Sequence, residues 1–334
     1  MTESAIDVVG IGNAIVDVIA DADDALLIRL GLDKGAMRLI DEPTAESLYG
    51  EMGPGLECSG GSAANSMVAL ASLGGRSAYI GKVKDDALGR IFAHDIRASG
   101  VTFDSRFASD GAATARCLIL VTPDAQRTMN TFLGASTDFG PADLEPALVG
   151  KAQITYLEGY LWDKPAAKEA FRQALGHAHK HGRKVALSLS DSFCVDRHRA
   201  EFLALVERDV DILFANEAEI RALYQVDEFD KALQKVRGHC EIAALTRSEK
   251  GSVVVSGDEI HVVDAAPVAR VVDSTGAGDF YAAGFLYGVT HGFDLARCAR
   301  LGALAAAEVI GHFGARPASP LRPLVEASAR PLKR

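Results

Sequence analysis

Cysteine is sparse in this chain: five among 334 residues, at positions 58, 117, 194, 240 and 298, with no CxxC pair and no metal-ligand spacing. That excludes a disulfide framework and suits a reducing, cytoplasmic setting. Positive charge is in deficit as well. With 35 Lys and Arg against 45 Asp and Glu the formal net charge is -10, which argues against a nucleic-acid or anionic-membrane surface; any phosphate site has to be built locally from backbone amides and a few cations. Long apolar runs are missing too. The N-terminus MTESAIDVVGIGNAIVDV has no basic n-region, and Gly12, Asn13 and Asp17 interrupt its apolar residues, so neither signal peptide nor membrane anchor is expected. There is one tryptophan, Trp162, and neither internal repeat nor low-complexity segment.

What is present is a large apolar complement: 48% hydrophobic against 24% charged, enough for one large domain and a small appendage. The most informative stretch runs from Val271 to His291. The β-branched pair Val271 and Val272 predicts a strand, and Phe280, Ala283, Gly284, Leu286 and Tyr287 recur at helical spacing, with Ser274 or Thr275 as N-cap. Between them Gly276, Ala277 and Gly278 would leave backbone N–H groups at the positive end of the helix dipole, with almost no side-chain bulk in front. This is a seat for an anion. Asp279 adds a carboxylate beside it, able to accept a proton from a hydroxyl that attacks a phosphate. Read alone, the string also fits a tight glycine turn with a first-turn acid complementing the dipole.

DSTGAGDFYAAG closely resembles the C-terminal signature of the PfkB family of carbohydrate and nucleoside kinases, which have the ribokinase-like fold. GNAIVD at 12–17 and GGSAANS at 60–66 are similar to the family's two sugar-binding stretches, and the Gly12-Asn13 pair with the long 20–56 insertion looks most like its adenosine kinase branch. The resemblance implies an α/β fold of three layers, with a mainly parallel central sheet and a small β lid. It implies Asp279 as catalytic base and Gly276, Ala277 and Gly278 as anion hole. Asp17 and Asn65 would hold ribose hydroxyls beside Gly60, Gly61 and Ser62, Asn13 would reach toward the nucleoside, and Arg127, in QRTMNTFLGA, would approach the phosphates. From the residues alone, Asp17 also reads as a solvated strand edge, Asn65 as a solvent-facing helix residue and Arg127 as a hairpin charge.

From residue 141 onward strands and helices alternate: strands at 153–158, 184–190, 211–215 and 241–246, helices at 141–149, 164–181, 197–208, 216–224 and 229–238. Such alternation predicts a parallel sheet covered on both faces, with ligands at the carboxyl ends of its strands. Strands at 114–121 and 128–133 lack intervening helices and are read, with 12–20 and 35–40, as the lid. The resulting division is 1–11, 57–100 and 134–334 for the large domain and 12–56 and 101–133 for the lid. At the strand ends, Asn216-Glu217-Ala218-Glu219 resembles the family's NxxE motif, implying that Asn216 binds ATP and Glu219 organises Mg²⁺ through water; it also reads as an ordinary capped helix start. Thr246 to Gly251 resembles the nucleotide loop, and is equally a hairpin turn.

Relatives are commonly activated by a monovalent cation, and the resemblance implies that backbone carbonyls near Asp273, Thr275 and Gly314 could form such a site for K⁺. Ala303 stands where many relatives carry a polar side chain toward the base, and Trp162 is either a platform for a flat base or a core filler. His177, His179 and His181 form an HxHxH run of which only the first and last share a helix face, so no metal site is expected there. The expectation is an ATP-dependent kinase acting on the 5′-hydroxyl of adenosine or, as the alternative, on ribose, fructose or a related sugar. The chain would be a monomer or homodimer without nucleic-acid or membrane partners.

Overall fold

Val8 and Val9, neighbours in the first strand, belong to different hydrophobic cores. Alternation of side chains in a strand sends successive residues to opposite faces, so a sheet of such strands needs covering on both sides. The computed structural model describes residues 6–124 and 126–330; Ala5, where the first expected strand begins, and residues 331–334 of the tail lie outside them. In chain order its strands are β1 (Ile6–Ile11), β2 (Ile15–Asp21), β3 (Met37–Leu39), β4 (Gly55–Gly60), β5 (Ser77–Ile80), β6 (Ala115–Val121), β7 (Arg127–Phe132), β8 (Ala152–Glu158), β9 (Lys184–Ser188), β10 (Ile212–Asn216), β11 (Ile242–Thr246), β12 (Ser252–Ser256) and β13 (Glu259–Val263).

Eight of these form one sheet in the order β13-β12-β11-β10-β9-β8-β1-β5, parallel except at one edge, where β12 runs antiparallel to both β11 and β13. One face is covered by Ser62–Leu73, Ala277–Thr290 and Leu295–Val309, the other by helices from Pro165–Lys180 to Phe229–Val236. This is the three-layer α/β/α arrangement expected from the alternation. The helices Ala277–Thr290 and Leu295–Val309 meet through small residues. A Cβ on Gly284 would sit 2.7 Å from the Leu301 carbonyl, and one on Gly302 would sit 2.7 Å from that of Tyr281.

The remaining five strands form a second sheet, β3-β7-β6-β2-β4. Along β2 the odd and even positions separate cleanly: Val16, Val18 and Ala20 are buried, while Ile15, Asp17 and Ile19 are half-buried on the opposite face. The acid that interrupts the apolar run therefore stands on the face away from the core. Register places Cys58, Asp17, Cys117 and Thr131 side by side across four strands of that face.

Three local expectations fail. β4 is a strand that pattern reading misses, because glycine closes both its ends and Glu57 and Ser59 dilute its β character. Val271 and Val272 are not a strand: the amides of Val272 and Asp273 both point to the carbonyl of Ile310, at 2.8 and 3.3 Å, so the segment is pinned to a helix end rather than to a sheet. The helix expected from 197 begins at Ser192, capped by Asp191, and kinks at His198. Among the described residues no helix is long and apolar enough to cross a membrane.

Candidate active site

Gly276, not Ser274 or Thr275, caps the helix Ala277–Thr290. Its φ of 80° suits glycine, and a Cβ there would lie 2.9 Å from that of Ala315. Thr275 is unavailable as a cap because its amide and hydroxyl both donate to Asp273 Oδ1, at 3.0 and 2.7 Å. Ala277 spends its amide on the Ser274 carbonyl at 3.2 Å. Among the described residues the amides of Gly276, Gly278 and Asp279 make no backbone hydrogen bond. Of the three expected anion-hole residues, Ala277 thus has its amide taken, and the Asp279 amide lies beside those of Gly276 and Gly278. A Cβ on Gly278 would meet nothing within 4 Å, so the seat is open to a ligand.

The Asp279 carboxylate is gripped from the facing helix, Ser62–Leu73. Ser62 Oγ donates to Oδ1 at 2.6 Å and Asn65 Nδ2 to Oδ2 at 2.9 Å. Burial raises its pKa, while these two donors and the nearby Arg316 guanidinium pull the other way. Arg316 is absent from the sequence reading. Its Nη1 donates to Asn65 Oδ1 at 2.5 Å and its Nη2 to Ser59 Oγ at 2.7 Å. Ser59 in turn donates through both its amide and its hydroxyl to Asp95 Oδ2, at 2.7 and 2.6 Å. No local pattern reveals these links, which join the residues after Gly314 to β4 and to the helix Ala87–Ala98.

Asp17 closes the other side. Burial pushes its carboxyl up to about 6, against the pull of Arg316 and Arg127 and helped by the Asp279 charge. Gly60 leaves it room, since a Cβ there would fall 2.6 Å from the Asp17 carboxyl carbon. Gly61 has φ 100°, and its Cβ would come 2.1 Å from the Asn13 carbonyl oxygen. Asn13 does not reach into the cleft as expected. It is 3% exposed, with Nδ2 donating to Glu158 Oε1 at 2.8 Å and Oδ1 accepting from Ser136 Oγ at 2.9 Å. Glu158, a second residue the sequence reading passes over, also accepts from the Ala63 amide at 2.9 Å, and burial pushes its carboxyl up to about 7. Its one sequence signal is an acid at the end of the apolar strand β8.

Arg127, on β7, lies over the loop before the anion hole, bonded to Asp273 Oδ2 and to Thr275 Oγ1, the latter at 3.2 Å. Burial works against the Asp273 charge, but donors from Thr275 and Gly314 together with Arg127 hold its carboxyl below the usual range. Gly314 contributes its amide here, at 3.0 Å, and the cation beside the Asp273 side chain is a guanidinium.

Across the sheet, Asn216 and Thr246 stand in register at the ends of β10 and β11, and Gly251 opens β12. Gly251 has φ 80°, and a Cβ would lie 2.0 Å from the Val263 carbonyl. Asn216 and Glu219 form a reciprocal cap, Glu219 accepting from Asn216 N and Nδ2 at 2.9 and 2.5 Å and donating its amide to Asn216 Oδ1 at 2.9 Å. Glu219 is 5% exposed and burial raises its carboxyl to about 7. Both its oxygens accept from Asn216, and among the described residues no three His, Cys, Asp or Glu side chains gather for a metal. Ala303 is buried in the helix Leu295–Val309. Trp162 is a core residue, packed on Phe171 and Phe202 with its indole N–H on Glu201.

Comparison with known proteins identifies what the chain resembles. The solved adenosine kinase of Sinorhizobium meliloti is 53% identical, covering 97% of this chain and 99% of its own, with a TM-score of 0.88. A probable sugar kinase from Rhizobium etli is 49% identical over 98% of this chain and 99% of its own, with a TM-score of 0.90. A 5-dehydro-2-deoxygluconokinase from Geobacillus thermodenitrificans is 26% identical, covering 82% of this chain and 86% of its own. The family model of the pfkB carbohydrate kinases matches residues 55–322, most of the chain. The protein is a kinase with ATP as co-substrate, and it belongs to the pfkB family of carbohydrate kinases.

Proposed function

We propose that this kinase transfers the γ-phosphoryl group of ATP to the 5′-hydroxyl of adenosine, giving AMP and ADP. The observation that carries the acceptor is the 53% identity to an adenosine kinase across 97% of the chain. The 5′-oxygen attacks the γ-phosphorus, the bond to the β,γ-bridging oxygen breaks, and the hydroxyl proton passes to Asp279. Supporting this role, Asp279 adjoins the amides of Gly276 and Gly278, and each of its oxygens has one side-chain donor and a remaining lone pair. The amides of Gly276, Gly278 and Asp279 stabilise charge on the transferring group.

Asp17 accepts from a ribose hydroxyl and Asn65 lies beside it, while Gly60, Gly61 and Ser62 shape the approach and Asn13 with Glu158 braces the frame beneath. Arg127, next to the anion hole, supplies positive charge as the phosphates arrive. ATP lies along the ends of β10 and β11, near Asn216, Thr246 and Gly251, and Mg²⁺ enters with its phosphates. The second sheet acts as a lid, the expected segments 12–56 and 101–133 extended to residue 60 because β4 pairs with β2, and its closure excludes water and limits ATP hydrolysis. We take the enzyme to be cytoplasmic, a monomer or homodimer.

Pure protein incubated with Mg·ATP and a panel of adenosine, other nucleosides, ribose and fructose, with products followed by mass, tests the acceptor. AMP from adenosine at the highest kcat/KM is expected. The 49% identity to a probable sugar kinase favours the second reading, and a phosphorylated sugar with no AMP replaces the first by it.

A further inference from the structure

One line of polar side chains under the site has a direction that its chemistry dictates. Asp95 Oδ2 accepts the Ser59 amide at 2.7 Å and its hydroxyl at 2.6 Å, so the single hydroxyl proton of Ser59 is spent on it. The Ser59 lone pairs are left for Arg316, whose Nη2 lies at 2.7 Å. Arg316 only donates, and its Nη1 reaches Asn65 Oδ1 at 2.5 Å and the Ala315 carbonyl at 2.9 Å. With the amide oxygen of Asn65 committed to a guanidinium, its Nδ2 has to face Asp279 Oδ2, at 2.9 Å. A serine and an asparagine that could each turn either way are thus set by a carboxylate at one end and a guanidinium in the middle.

We propose that Arg316, held by Ser59 and Asp95, is a positioning residue for phosphoryl transfer: it fixes the Asn65 amide so that Asp279 is presented ionised, with a free lone pair toward the acceptor hydroxyl. The inference rests on the reading of Asp279 as base. The groups that face Asp279 give the chain a second effect. Ser62 and Asn65 donate from one helix, Arg316 supplies positive charge from the C-terminal segment, and Asp17 on β2 and Glu158 on β8 supply negative charge, with the phenol of Tyr156 beside them. Arg127 on β7 adds positive charge toward Asp17 and binds Asp273. Without Arg316, Asp279 keeps its acidic neighbours and loses a cation, so its ionisation moves to higher pH.

The test compares Arg316→Gln, Arg316→Lys, Asp95→Ala and Asp279→Asn in the full chain, reading kcat, both KM values and the pH profile of kcat/KM. Arg316→Gln is expected to lower kcat by about 100-fold, the scale of a misplaced reacting group, to leave the ATP KM near the parent's, and to move the acid limb of kcat/KM to higher pH. Arg316→Lys keeps the charge without the two-pronged grip, so its acid limb stays near the parent's while kcat falls. Asp95→Ala frees the Ser59 hydroxyl and lowers kcat with a smaller shift of the limb.

A parental kcat in Arg316→Gln, or a lower kcat with an unmoved acid limb, overturns the proposal, the second outcome marking a structural role only. Should Arg316→Gln not fold, the Lys and Asp95→Ala variants carry the test, and parental kcat in both overturns it. Asp279→Asn separates the two readings. If it is as active as the parent, the base assignment fails; if it is inactive while the Arg316 variants behave as the parent, only the positioning chain is lost.

Discussion

Asp17 and Glu219 are both acids whose carboxyls burial pushes upward, yet one faces charged groups from distant segments, Arg316, Arg127 and Asp279, and the other closes on its own helix. The contrast extends to their surroundings. On the acceptor side the partners come from far apart in sequence: Ser62 and Asp279 are separated by 217 residues, Asn65 and Arg316 by 251. On the nucleotide side they are local, Asn216 with Glu219 and the Arg247 amide with the Gly251 carbonyl at 2.7 Å. The candidate acceptor site is thus held by a tertiary network, whereas the candidate nucleotide side is made of strand ends and short turns. Preorganised donors of this kind need no rearrangement when charge develops.

The comparison can be broken hardest at Asp279. Asp279→Asn removes the proton acceptor, and single-turnover and steady-state rates should fall about 10²- to 10⁴-fold while calorimetric affinity for the acceptor stays close to the parent's. Gly61→Ala attacks the same side through the backbone: with φ at 100° and a Cβ 2.1 Å from the Asn13 carbonyl, a loss of about 3 kcal/mol in denaturant unfolding is expected. An alanine with parental stability would mean that the β4 turn is not held as described.

Asp17→Asn weakens a charge-assisted bond to the acceptor, worth about 1.5–3 kcal/mol, so the acceptor KM should rise by roughly 10- to 100-fold at neutral pH. In the parent that affinity should decline as pH falls through about 6, because protonated Asp17 accepts less well, and the decline should be missing from the variant. On the other side, Asn216→Ala removes a helix cap and should cost about 1 kcal/mol of stability without changing the acceptor KM.

Much of the candidate site is legible in the chain because its parts are short strings with strong local constraints. DSTGAGD couples a glycine turn to an acid, and period-two alternation along β2 explains why Asp17 interrupts an apolar run without entering the core. Asn13 was legible as a polar residue beside a glycine but not as one facing inward, since burial against Glu158 depends on β8 lying next to β1. Arg316 left no signal of its own. It sits in a loop of small residues and proline, where an arginine is ordinarily a solvated charge.

By itself, then, the order of residues determined the alternation that makes a doubly covered parallel sheet, the glycine positions where backbone conformation or close approach admits no side chain, and the acid placed one residue past them. Periodicity and steric exclusion act over a few residues, so they can be read without the fold. Only the packed chain decided that Gly276 rather than Ser274 or Thr275 caps the helix, that Val271 and Val272 hang from Ile310, and that Asp95, Ser59, Arg316 and Asn65 line up on Asp279. Such contacts depend on where distant segments are brought together and on which donors water no longer reaches, and neither quantity is encoded within any one segment.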